Sequence, residues 1–490
     1  MAGLKTRTAR SLKWNLLDRV ATQVLYAVTG VVLARVLSQD DFGLVGAVLV
    51  FQAFAALLVD SGFSYALIQR KRPSKLDYST VLWFNLGVST ALYALLFVCA
   101  PLIADCFQGD TRLIPLTRAM GLALILNASA IVQTNRMMKA MDVRFVAVSN
   151  SIGLVIGGIT GIALALTGFG AWAIVWQTLV TAAVKSAVLW TASRWRPLWR
   201  FSMASLRSYF GIGSKMMLTS FLNTVFQNIY SFFIGNRVGL TSLGYYTQSD
   251  KWSKMGITSL TQVLTSTFLP ALSAVQDDRP RFVAVLSKIN RFTAYLLFPS
   301  MMGLMLMAEP IFHILFGTKW DPSIILFQLL LLRGIFTVLT TLYNNYILSL
   351  GHGGTLVRLE VIRDSVAIAA LIATLPFIAR TTADNPVYGL EIMLWGQVAA
   401  TVVTWAATLR SASRITGVTV RQYITDLMPY FAQTAVIIPV MKTAASVTAS
   451  DPARLGIEAV VGLVLYLGIN RLLGSKIQRE VFDYFRKPQK

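Results

Sequence analysis

The chain has 490 residues, of which 55% are hydrophobic and only 13% charged, with a formal net charge of +22. A soluble domain of this size carries roughly a quarter charged residues, so the deficit excludes an ordinary soluble fold. Apolar runs of 18 or more residues recur along the chain and define an all-α polytopic membrane protein. Two cysteines, Cys99 and Cys106, and two isolated histidines, His313 and His352, speak against a redox pair and against a catalytic metal site.

In chain order, fourteen candidate spans are expected near 14–36, 44–66, 79–104, 114–135, 146–167, 171–193, 209–235, 245–271, 289–315, 323–349, 358–379, 389–410, 427–446 and 454–473. Each is long enough to cross about 30 Å of hydrocarbon at about 1.5 Å per residue. Irregular backbone cannot face lipid, which leaves a helical bundle. The opening MAGLKTRTARSLKWN is basic without a small-residue cleavage site, and reads as a retained cytoplasmic end.

Basic residues alternate between the two sides. One side collects Arg70, Lys71, Arg72 and Lys75, then Arg136, Lys139 and Arg144, then Arg194, Arg196, Arg200 and Arg207, and finally the tail. The other side carries about one each: Arg35, Arg112, Arg237, Lys319 and Arg380. The positive-inside rule then predicts both termini in the cytoplasm. The net charge follows from this topology and needs no nucleic acid.

A weak internal repeat is visible. RVLSQDDFGLV (35–45) follows the first helix and RVGLTSLGYY (237–246) follows the seventh, one residue shorter. SRWRPLWRFSMASLRSYF (193–210), basic and aromatic, suits a linker at the membrane surface. The expected organisation is two pseudo-symmetric six-helix lobes around a central cavity, 1–200 and 201–412. Two extra helices and a basic tail would occupy 413–490.

No GxxxxGK[ST], no Ser/His/Asp set and no long outer loop are present, so a covalent catalytic step is not expected and no cofactor is called for. GHGG (351–354) reads as a helix-ending turn. What remains is polar decoration inside spans. Asn15, Arg19, Gln23, Tyr26 and Gly30 share one face of the first helix, and Lys215, Thr219, Asn223, Gln227 and Tyr230 one face of the seventh. A basic residue at depth costs about 2.5–3.5 kcal/mol on insertion scales, so these stripes should face protein or water. Snorkelling of Arg19 and Lys215 to the inner surface is the alternative. Asp250 and Lys254 stand one turn apart and can pair, leaving Lys251 free for an anion. Lys185 and Arg333 lie too deep to snorkel easily. Together these cations suit a diphosphate; pairing with Asp60, Glu309, Glu360 or Asp364 is the competing explanation. Gly153, Gly157 and Gly161 form a small-residue face for helix packing.

LARVLSQDDFGLV, LLVDSGFSYALIQRK, GFGAWAIVWQ, SRWRPLWRFS and LGYYTQSDKW resemble the Wzx-type polysaccharide exporters of the multidrug/oligosaccharidyl-lipid/polysaccharide superfamily, in the branch handling colanic acid, succinoglycan and teichuronic acid. The resemblance implies alternating access and transfer of an undecaprenyl-diphosphate-linked oligosaccharide to the outer leaflet, alongside a polymerase and a chain-length regulator. Proton, sodium or membrane-potential coupling is open. Similarity to the lipid II flippases places Arg19 and Lys251 at basic positions of that family and Asp60-Ser61-Gly62 at its acidic one. Asp60, Asp250 and Lys254 are gating or ion-coupling candidates, with Asp60 expected to meet Arg19 or Lys215. The alternatives are a drug/cation antiporter on the same architecture, a lipid II flippase, and less favourably a membrane enzyme of polymer assembly.

Overall fold

A computed structural model describes residues 2–60, 63–378 and 387–486, and among these every regular element is a helix. In order they are α1 (Ala2–Val36), α2 (Gln39–Asp60), α3 (Phe63–Gln69), α4 (Lys75–Cys106), α5 (Leu113–Lys139), α6 (Val143–Leu166), α7 (Ala171–Ser193), α8 (Met203–Arg237) and α9 (Leu240–Ser273). There follow α10 (Arg279–Leu306), α11 (Ala308–Leu315), α12 (Asp321–Ser349), α13 (Gly353–Ile378), α14 (Tyr388–Thr416), α15 (Val420–Ala445), α16 (Asp451–Leu472) and α17 (Lys476–Arg486).

Eleven described helices are long and apolar enough to cross a membrane, and a bent pair, α10 with α11, makes a twelfth. The chain is therefore a multi-pass membrane protein. The seventh and eighth expected spans correspond to α8 and α9, 35 and 34 residues long and rich in polar side chains. One expected span, the ninth, is broken rather than straight: it bends by 61° between Leu306 and Ala308. Pro310 explains the break: it lacks the N–H that would bond the Leu306 carbonyl. Local signals start the helices where the sequence places them. Ser74 and Asp77 form a reciprocal capping box on α4, Ser202 caps α8, and Asp278 caps α10.

The chain divides into two compact units, Met1–Thr247 and Gln248–Lys490, with the boundary inside α9. In the first unit the glycine face of α6 packs on α7. A β-carbon at Gly153, Gly157 or Gly161 would collide with Thr181 or Gln177, so the absence of side chains lets the two helices touch. The 194–202 linker is fastened to α4: Trp83 Nε1 donates to the Leu198 carbonyl, and the Leu198 and Ser202 amides donate to Ser79 and Thr80 hydroxyls. In the second unit, aromatic packing of Tyr343, Tyr346 and Tyr423 joins α12 to α15. His313 on α11 sits 3.0 Å from both Asp321 and Asp451, and Arg454 reaches Glu309. These contacts dock α16 onto α11 and α12. α17, in the basic tail, is amphipathic and held to α10 by a 2.6 Å Lys288–Glu480 pair.

Candidate functional site

Within the second unit, α9 and α12 bring charge together at depth. Asp250 and Lys254 are one turn apart on α9 and pair at 2.6 Å, as their spacing predicts. Arg333 of α12 approaches the other carboxylate oxygen of Asp250 at 3.9 Å and donates to Gln397 on α14. Lys251 makes no salt bridge among the described residues; its ammonium lies 5.3 Å from the neighbouring Trp252 ring, and the side chain is exposed. It stands eleven residues into α9, roughly 16 Å along the axis. Lys254 and Arg333 thus share a single acid, and Lys251 has no acid partner among the described residues. An ammonium held this way in an apolar span offers a strong, charge-assisted site to an anion.

The first unit has a second polar cluster. Asp18 on α1 accepts from Thr22 at 3.5 Å and from Asn150 of α6 at 3.3 Å, and attracts Lys185 on α7 electrostatically. Gly153 lies against the root of Lys185 and gives that side chain room. Arg19 and Gln23 flank Asp18, Arg19 exposed and Gln23 half-buried. On α8, Asn223 accepts from Gln227 at 3.2 Å, and both are exposed. Lys215 lies outside the described side chains.

Other acids are committed elsewhere. Asp60 accepts a short hydrogen bond from Ser64, whose hydroxyl accepts from Asn135 on α5 at 2.8 Å. Asp60 was expected to meet Arg19 or Lys215; among the described residues it is in no ion pair, and the Lys215 side chain lies outside them. Glu360 and Asp364 both bond Arg363, and Glu309 bonds Arg454. None of these neutralises Lys251 or Lys185.

Sequence reasoning did not find Gln397 or Asn150, which orient Arg333 and Asp18. Each is a lone amide inside an apolar run, a signal seen only once its long-range partner is known.

The fold is that of an all-helical multi-pass membrane protein with charged side chains within its helices. It matches the structure of the lipid II flippase MurJ in an inward closed conformation, with a TM-score of 0.72 and 15% identity over 94% of this chain and 99% of that one. An inward-facing multidrug resistance transporter of the MATE family matches with a TM-score of 0.61 over 82% of this chain. The family model described as "Polysaccharide biosynthesis protein" matches residues 32–325, and the chain belongs to that family, as a Wzx-type member. The succinoglycan biosynthesis transport protein ExoT of Rhizobium meliloti is 28% identical over 79% of this chain and 76% of its own length. The lipopolysaccharide biosynthesis protein WzxC of Escherichia coli is 26% identical over 68% of each.

Proposed function

We propose that this polysaccharide-biosynthesis transporter is a flippase for an undecaprenyl-diphosphate-linked oligosaccharide, moving it from the cytoplasmic to the outer leaflet of the bacterial inner membrane. The observation that carries the reading is Lys251, an ammonium without an acid partner, beside the Asp250–Lys254–Arg333 cluster. A diphosphate supplies the charge that this cluster lacks, and its oxygens accept from both ammonium and guanidinium. The polyprenyl tail stays in lipid while the head is bound by Arg19, Gln23, Lys185, Lys215, Asn223 and Gln227 of the first unit and by Lys251 of the second. The lobes alternate in opening, and no covalent step is needed. The termini lie in the cytoplasm, on the side rich in Lys and Arg. A drug/cation antiporter would be better served by an acidic chamber, which the charge count here opposes.

Deleting the gene should stop surface polysaccharide while the lipid-linked repeat unit accumulates inside. Normal polymer export without that accumulation would remove the flippase reading.

A further inference from the structure

Two arginines of the first unit stand against aromatic rings at the end of the spans rich in Lys and Arg, and no acid answers either. Arg136, in the last turn of α5, holds its guanidinium over two rings at once. It lies 5.7 Å from the centre of Tyr78 on α4 and 5.4 Å from that of Trp195 in the linker. The two rings meet edge to face at 72°, so the guanidinium sits in the corner between them. Among the described residues Arg136 makes no hydrogen bond and no ion pair. Arg196 is exposed. One of its nitrogens donates to the Trp190 and Trp195 carbonyls at 3.1 and 3.0 Å, and its guanidinium lies 5.9 Å from the Trp190 ring. It too is in no ion pair among the described residues. Asp77, beside Tyr78 in sequence, is committed to Arg70 at 3.6 Å and to its own capping box.

The backbone builds this arrangement. α7 ends at Arg194 in a left-handed conformation, φ 47°, which a residue with a side chain adopts at a cost. The turn lays Trp195 into the buried cluster of Phe63, Leu82 and Val132. Trp190 is fixed in turn, its Nε1 donating to the Ser129 carbonyl on α5 at 3.1 Å. Both arginines lean on one residue: Trp195 gives its ring face to Arg136 and its carbonyl to Arg196. Stacking engages the face of a guanidinium and leaves its N–H edge for an oxyanion. The aromatic corner therefore orients Arg136 without consuming its hydrogen bonds. Further along the linker, Trp199 stacks on Trp83 at 4.7 Å and is 87% exposed, as tryptophans at the headgroup level of a membrane are.

We propose that Arg136 and Arg196 form a binding site for the phosphate of an anionic phospholipid, in the leaflet on the side rich in Lys and Arg. The phosphodiester accepts from the free edge of Arg136 and from the nitrogens of Arg196 that the linker carbonyls leave over. Its acyl chains run beside the apolar spans. A lipid seated there anchors the 194–202 linker to the membrane surface as well as to α4. The site uses none of the residues assigned to the transported head, so it stands or falls independently of the flippase reading.

The test uses the full chain purified in a neutral detergent, with bound lipid read by native mass spectrometry after addition of phosphatidylglycerol or phosphatidylcholine. The unaltered chain should retain phosphatidylglycerol several-fold more than phosphatidylcholine. R136Q/R196Q should lower phosphatidylglycerol retention roughly tenfold, with the unfolding temperature in lipid-free detergent unchanged. R136K keeps the charge and loses the fork, and should fall between. K71Q/R72Q removes the same charge at the same end of the spans and should leave retention as it was. Equal retention of the two lipids, an equal loss in K71Q/R72Q, or undiminished retention in R136Q/R196Q overturns the site. Displacement of the lipid by millimolar inorganic phosphate assigns the arginines to a free ion and overturns the lipid reading. If R136Q/R196Q does not fold, R196Q alone decides, because Arg196 is exposed. A several-fold loss is expected there, and unchanged retention overturns the inference. So does an R136Q chain that unfolds at a lower temperature yet retains as much lipid per folded molecule, since Arg136 would then only pin the linker.

Discussion

Two polar clusters inside apolar helices differ in how their charges are balanced. Around α1, α6 and α7, Asp18 is held by Thr22 and Asn150 and faces Lys185, so an acid and a cation offset each other. Around α9 and α12, one acid, Asp250, is shared by two cations, while Lys251, next to it in sequence, is in no ion pair among the described residues. The difference teaches that a basic residue in a span is not by itself a binding site; what matters is whether an acid has claimed it. Lys251 is unclaimed. Lys185 is at least partly answered.

The comparison breaks most decisively at Lys251. Lys251→Gln removes a charge-assisted bond of about 1.5–3 kcal/mol, and export should fall roughly ten- to a hundredfold while membrane insertion is unchanged. Lys251→Arg keeps the charge and should retain most activity. Lys185→Gln should cost export clearly less than Lys251→Gln; equal losses at both sites would erase the distinction between the clusters.

Asp250→Asn tests the other side of the balance. It leaves Lys254 and the largely buried Arg333 without their shared acid, and should destabilise the protein by about 1–3 kcal/mol, read as a lower unfolding temperature in detergent. Asp18→Asn should cost about 1 kcal/mol or less, because the amide oxygen still accepts from Thr22 and Asn150. A larger loss at Asp18 than at Asp250 would invert the comparison.

Much of this was legible in the residues. Fourteen spans were expected from apolar windows and eleven or twelve described helices are long and apolar enough to cross a membrane; the four-residue spacing of Asp250 and Lys254 correctly predicted their pairing. The break at 307 was not expected, because hydropathy averages over a turn and does not register one absent N–H at Pro310. The hydrogen bond from Ser64 to Asp60 was not expected, although the two stand four positions apart. Gly43 and Gly244 were recognisable as repeated turn residues, but their contact depends on how α2 and α9 cross, which spacing along the chain does not encode. Gln397 and Asn150 escaped for the same reason.

The 194–202 linker, fastened to Ser79, Thr80 and Trp83, has a consequence for biosynthesis. Its partners all precede it in the chain, so it can settle on α4 while the rest is still being translated, on the order of tens of seconds of synthesis. Arrested ribosome-bound chains ending shortly after α8 emerges should already protect the linker from protease added on the ribosome side; cleavage at Arg196 or Arg200 as fast as in unfolded chain would show that it docks later. With early docking, the second half of the molecule begins its insertion from a fixed point on the first, not from a loose tether.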